Sequence, residues 1–217
     1  MKIDKELQKQ VMDELTWEPS IDAAGIGVCV DSGVVMLSGT VQSYPEKWAA
    51  ERATERVKGV KAVIDEIIVR LPGDFQRGDS EIARTAVNTL DWNASLPHGR
   101  IKAIVQNGWI TLDGTVEYYF QKVEAERAVR GLLGVKGVTN RVNVTPVISP
   151  VDVKGQIIKA MERAAEVDAK KISVETRDTK VILRGAVKSW VERDEAERAA
   201  WAAPGVSEVE NKIEIAA

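Results

Sequence analysis

Three short segments of this 217-residue chain repeat in one register, and that register limits the folds open to it more than any other feature. GTVQSY (39–44), GTVEYY (114–119) and GAVKSW (185–190) stand 75 and then 71 residues apart. The same two offsets, without gaps, superpose AERA at 50–53, 125–128 and 196–199. They also superpose KGVKAV (58–63), LGVKGV (133–138) and PGVSEV (204–209). Repetition at one period means one supersecondary unit used several times. The chain therefore reads as three small units, each of a size near the lower limit for an independently stable core.

Each unit opens with an amphipathic segment whose apolar residues recur every four positions: Leu7, Val11 and Leu15, then Ile82, Ala86 and Leu90, then Val153, Ile157 and Met161. That spacing predicts one face of a helix. A period-2 run follows at 26–30, and a second at 34–41, separated by Ser32-Gly33; the counterparts of that turn are Asn107-Gly108 and the weaker Asp178-Thr179. These are hairpin signals. Pro45 suits the first turn of a second helix, and Gly59, Gly134 and Gly205 are placed as the glycines that end it. A last apolar run carries Val60, Val63, Ile67 and Val69. The predicted fold class is α+β: three tandem αββαβ units, each a three-stranded mixed sheet with two helices packed on it, over residues 1–71, 77–147 and 150–217. PGDFQRGD (72–79) and TPVISPVD (145–152) read as the linkers.

Along the second strand of each unit one parity is apolar except for a glycine, Gly39, Gly114 or Gly185. A glycine on an inward parity predicts close backbone approach, and the small residues Ala50 and Ala53 of the following helix are the expected neighbours. Asp65, Asn140 and Asn211 share one inward polar position and are expected to pin a nearby backbone by hydrogen bonds. Lys47 with Glu51, Lys122 with Glu126 and Arg193 with Glu197 read as a solvated helix face. Trp17 and Trp92 end the first helices where the third copy has Arg163, a divergence that predicts packing between units.

The pattern G-T-V, A-E-R-A and G-V-x-x-V, followed by Asp65, Asn140 or Asn211 two residues before Ile67, Val142 or Ile213, resembles the BON domain in three tandem copies covering nearly the whole chain. The resemblance implies an αββαβ sandwich and a non-enzymatic protein. It also implies proposed roles in phospholipid binding and in envelope or osmotic-stress protection, in the group once labelled transport-associated. Two alternatives stand beside that function: a potassium-linked cytoplasmic sensor, by analogy with a BON protein joined to a LysM domain, and a structural or self-assembling interaction module.

The residues themselves favour binding over catalysis. His98, the one histidine, sits in LPHGR without a nucleophile or metal-ligand partner at motif spacing, and Cys29 is the one cysteine. No catalytic, cofactor or metal residues are nominated, and no cofactor is expected. A net charge of −3 argues against nucleic acid as a partner. Candidate lipid or partner contacts are the aromatics at the start of the second helices, Tyr44, Tyr119 and Trp190, with Trp48, Tyr118 and Phe120 near them. Their amphipathic rings suit a membrane surface or a protein face, a second copy of the chain included. The N-terminal MKIDKELQKQVMDEL has no apolar core of signal-peptide length, so the expected location is the cytoplasm, with the periplasm as alternative for a trimmed N-terminus.

Overall fold

The computed structural model describes residues 2–146, 153–164 and 168–216. Within them the predicted αββαβ order appears three times. The first unit is α1 (Lys2–Trp17), β1 (Ile26–Asp31), β2 (Val34–Val41), α2 (Tyr44–Arg56) and β3 (Ala62–Val69). The second is α3 (Asp79–Asp91), β4 (Ile101–Gln106), β5 (Trp109–Val116), α4 (Tyr119–Arg130) and a third strand in two pieces, β6 (Gly137–Asn140) and β7 (Asn143–Val144). The third is α5 (Val153–Arg163), β8 (Ile172–Arg177), β9 (Lys180–Val187), α6 (Trp190–Trp201) and β10 (Glu208–Ile215). The linker expected at 145–152 lies outside the described residues from 147 on.

Each sheet is mixed. A hairpin pairs the first two strands antiparallel, and the second helix carries the chain across to a third strand parallel to the second. Ser32, Asn107 and Asp178 all take positive φ at the hairpin turns, as tight two-residue connections require. Both helices cover one face of the sheet, and each unit has its own core. In the first, Leu7, Val11 and Leu15 of α1 meet Val35, Leu37 and Val41 of β2 and Ala50 and Ala53 of α2. Ile82, Ala86 and Leu90, and Val153, Ile157 and Met161, occupy the same places in the other two cores.

Two glycine positions have a different physical reason from the one expected. Gly39, Gly114 and Gly185 have φ of 115°, 144° and 142°. A Cβ there would lie 2.2 Å from the carbonyl oxygen of Gly25, and 2.1 Å from those of Arg100 and Lys171. The close neighbour is thus the backbone entering the first strand, and the alanine face of the helix packs elsewhere in the core. Only a residue without Cβ accepts both the left-handed dihedral and the carbonyl. Gly59, Gly134 and Gly205 also lie beyond the helix ends. Each is the third residue of a tight turn closed by Val60 N–H to Val57 O, Val135 N–H to Leu132 O, or Val206 N–H to Ala203 O, and takes φ of 98°, 88° or 85° there.

Gly39→Val or Gly114→Ala is expected to destabilise its unit by about 3 kcal/mol, through left-handed strain plus overlap with the carbonyl. A urea-denaturation midpoint equal to that of the parent would refute the close-approach explanation.

Candidate functional site

The three equivalent aromatics face neither their own units nor solvent as a set; each is turned onto the next unit. Tyr44, at the start of α2, packs against the core of the second unit with its hydroxyl at the backbone of Val138 on the outer strand β6. Burial pushes its phenol above the ordinary tyrosine range, and the nearby Glu126 adds to the shift. Tyr119, at the start of α4, stacks on Trp201 at the end of α6, with centroids 4.1 Å apart and planes 6° from parallel. Trp190, at the start of α6, packs against the core of the first unit and donates its indole N–H to Val60 O at 3.1 Å. First to second, second to third and third to first, one equivalent position, with a different contact in each case, closes the three units into a ring with pseudo-threefold symmetry.

Side chains one turn along the same helices complete the seams. Trp48 lies under the Arg130 guanidinium of the second unit, 3.6 Å from the ring centroid. Its counterpart in the third unit is Asp194, which pairs with Arg52 of the first at 2.8 Å. Arg52 also holds Glu55 at 2.9 Å, and burial raises the Glu55 carboxyl despite that pairing.

The shared polar position is an internal clasp between strand and helix. Asp65 accepts from Ile67 N–H at 2.9 Å and pairs with Lys47 at 3.0 Å, while Lys47 also donates to Ile67 O at 2.7 Å. Asn140 accepts from Val142 N–H and donates to Lys122 O at 2.7 Å and to Glu126 at 3.3 Å. Asn211 accepts from Ile213 N–H and donates to Glu197 at 2.8 Å. The basic–acidic pairs on the second helices, expected as a solvated face, therefore turn toward the sheet: Glu126 and Glu197 receive the asparagine amides. In the first unit a carboxylate replaces the amide and cannot donate to Glu51. Glu51 is held above the usual glutamate range by burial first, and by Glu55 and Asp65 as well.

Tyr118 and Phe120 are the candidate aromatics that stay exposed, at 53% and 57%. Their rings stack at 5.8 Å and form one wall of a cavity of about 520 Å³. Trp201, Pro204 and Val206 of the third unit form the opposite wall, with Tyr119 between. Tyr118 stands where the other units have Ser43 and Ser189, whose hydroxyls cap α2 and α6 by accepting from Glu46 and Glu192 N–H. It occupies the N-cap of α4 without a side-chain cap, a substitution that costs a helix about 1 kcal/mol. The middle unit breaks a local rule at the residue that walls the cavity.

Trp17 and Trp92 lie apart from every seam. They are 84% and 90% exposed at the ends of α1 and α3, so the packing between units expected of them does not occur. The seams form at the starts of the second helices, which leaves the ends of the first helices outside. Met12 and Val87, equivalent to one another, are also half-exposed on these helices. His98, in an exposed loop, approaches Asp91 at 3.5 Å. No group of three or more His, Cys, Asp or Glu side chains among the described residues could hold a metal ion, and no described helix is long and apolar enough to cross a membrane.

The family model for the BON domain matches residues 3–70, 78–146 and 151–217. This chain is a BON-domain protein. Its sequence is 30% identical over 144 residues to osmotically-inducible protein Y of Escherichia coli (strain K12), a match covering 63% of this chain and 70% of that protein. Solved structures of CdsD, a structural protein of the type III secretion system of Chlamydia trachomatis, and of its C-terminal domain are each 14% identical, with a TM-score of 0.25. They cover 97% and 98% of this chain, and 92% and 98% of their own.

Glu51 binds protons more tightly folded than unfolded, so the first unit gains stability as pH falls through the raised value toward the ordinary 4.5. Glu51→Gln is expected to flatten that segment of a stability-versus-pH curve, and an unchanged curve would refute the assignment. Tyr119→Ser is expected to destabilise the seam between the second and third units by about 2 kcal/mol. Thermal unfolding measures this, with Tyr118→Ser as the comparison expected to change it far less.

Proposed function

We propose that this protein is a non-catalytic binding protein of osmotic or envelope stress that lies on phospholipid surfaces through the outer ends of its first helices. The observation that carries the reading is the exposure of Trp17 and Trp92 at equivalent positions. In a cyclic arrangement equivalent positions project to the same side, so one surface can meet both indoles. Indole suits the level of lipid headgroups because its body is apolar and its N–H polar. Arg163 stands at the third equivalent position, where a cation suits an anionic headgroup. The osmotic part rests on family membership and on the name of the osmotically inducible relative. Avidity from Tyr44, Tyr119 and Trp190 on one surface has no place in this reading, since those rings are engaged within the chain.

The cavity walled by Tyr118, Phe120 and Trp201 supports a second reading, a partner protein held by an apolar segment between the second and third units.

Co-sedimentation with phosphatidylethanolamine–phosphatidylglycerol vesicles at two salt concentrations separates the readings. Trp17→Ser/Trp92→Ser is expected to bind at least about tenfold more weakly than the parent, from the loss of two buried rings, while Tyr118→Ser/Phe120→Ser keeps parental binding. Equal binding by the parent and the tryptophan variant would overturn the lipid-contact assignment.

A further inference from the structure

The outer face of each sheet, the one its helices leave uncovered, is built differently in the three units. Three positions on it are neighbours: the first residue of the second strand, its partner on the third strand, and the residue two further along that strand. In the third unit these are Lys180, Glu208 and Glu210, and the lysine pairs with both carboxylates, at 2.6 and 3.1 Å. In the first they are Val34, Ala62 and Ile64. The second unit has Trp109, Gly137 and Thr139 there. A Cβ at Gly137 would lie 2.4, 2.5 and 2.6 Å from three carbons of the Trp109 ring, so one face of the indole covers the glycine. The indole N–H donates to the Thr139 hydroxyl at 2.8 Å. A ring seated on a glycine and fixed by its one polar atom is a platform, with its second face turned outward.

That platform borders a cavity of about 490 Å³ between the first and second units, where Ile68 and Ile104 are the other exposed apolar side chains. The third unit has Glu214 and Glu175 at their equivalent positions. A second cavity of about 460 Å³ adjoins the first, sharing Val69, Asn107 and Lys136, and carries Arg70, Arg77 and Asp79. Asp79 is engaged by the backbone N–H groups of Asn107 and Gly108 at 2.7 and 2.9 Å, and Arg77 by Glu81 at 3.2 Å. Lys47, which lines the first cavity, is held by Asp65. Arg70 and Lys136 have no carboxylate partner among the described residues. One groove thus has an apolar half bordered by an aromatic ring and free of carboxylates, and a cationic half beside it. Both volumes fall within the range of about 300–1,000 Å³ usual for small-molecule sites.

We propose that this groove binds a small organic anion with a planar ring system, the ring stacked on the outward face of Trp109 and the anionic group held by Arg70 and Lys136. An indole face accepts another π-system in stacked geometry, and Ile68 and Ile104 supply apolar contact around it. The two cations offer charge-assisted hydrogen bonds to a carboxylate or sulfonate. The site uses none of the residues assigned to the lipid surface.

Isothermal titration calorimetry of the full chain with naphthoate tests this, with two comparison compounds. Dodecanoate carries the same charge on a flexible chain, and naphthylmethylammonium the same ring on a cation. Naphthoate is expected to bind saturably at one site, at least about tenfold more tightly than either comparison. Trp109→Val, which installs the residue of the first unit, is expected to weaken it at least about fivefold, and Lys136→Glu at least about tenfold. Gly137→Ala is expected to weaken it too, because the added methyl lifts the ring from the sheet; the first unit already carries Ala62 at that position. Far-UV circular dichroism checks that each variant is folded. Dodecanoate binding as tightly as naphthoate would overturn the planar-ring assignment in favour of an acyl chain, and equal binding of the ammonium compound would overturn the anion. Absence of saturable naphthoate binding, or parental affinity in folded Trp109→Val, would overturn the site itself.

Discussion

The arrangement of this protein depends on one recurring placement, an aromatic ring at the first turn of each second helix set on the next unit: at its outer strand for Tyr44, at the turn before that strand for Trp190, and at the end of its second helix for Tyr119. An outer strand of a small sheet presents unpaired backbone groups, which must be covered or left as a template for pairing. Here two of the aromatic rings take part in that covering. The Tyr44 hydroxyl reaches Val138 and the Trp190 indole reaches Val60 O, so these two rings both bury apolar area and meet a backbone group at or beside the edge, while Tyr119 stacks on Trp201. A chain of three such units satisfies the contact at every unit only by closing, because an open row would leave its first edge and its last ring unmatched.

Inside each unit two smaller constraints make that docking repeatable. The positive-φ glycine of the second strand admits the carbonyl at the entry to the first. The clasp from Asp65, Asn140 or Asn211 ties the third strand to the second helix, the element that carries the docking ring. The strand edge and the ring are thereby held in one rigid relation within each unit, and the same relation repeated three times produces the ring. The middle unit departs from it at Tyr118, where a capping serine has been given up for an exposed aromatic beside the cavity.

Much of the unit was legible in the sequence because its causes are local. Period-4 and period-2 apolar spacing placed the helices and strands, and Ser32-Gly33 and Asn107-Gly108 placed the turns. The inward polar position was legible as a hydrogen-bonding residue, but its partner was not. Lys47, Glu126 and Glu197 look like surface charges on a helical wheel, and only the packing of helix on sheet turns them toward the clasp. Gly39 was legible as a close-approach residue, yet a backbone carbonyl from before the first strand leaves no mark in the side-chain pattern. The aromatic positions were legible as a set, and the cavity carried a signal that could have found it: Tyr118 and Phe120 stand where the other units have Ser and Pro or Val.

The sequence by itself determined three copies of one αββαβ unit, their internal cores and the presence of an aromatic at one equivalent position, because period and turn chemistry act over a few residues. Tertiary structure decided where those aromatics point. Tyr44, Tyr119 and Trp190 turn inward on neighbouring units while Trp17 and Trp92, which read as the packing residues, turn outward. The physical reason is that a ring's burial depends on the relation between two units, and linkers allow many such relations; edge complementarity, which no single strand encodes, selects one.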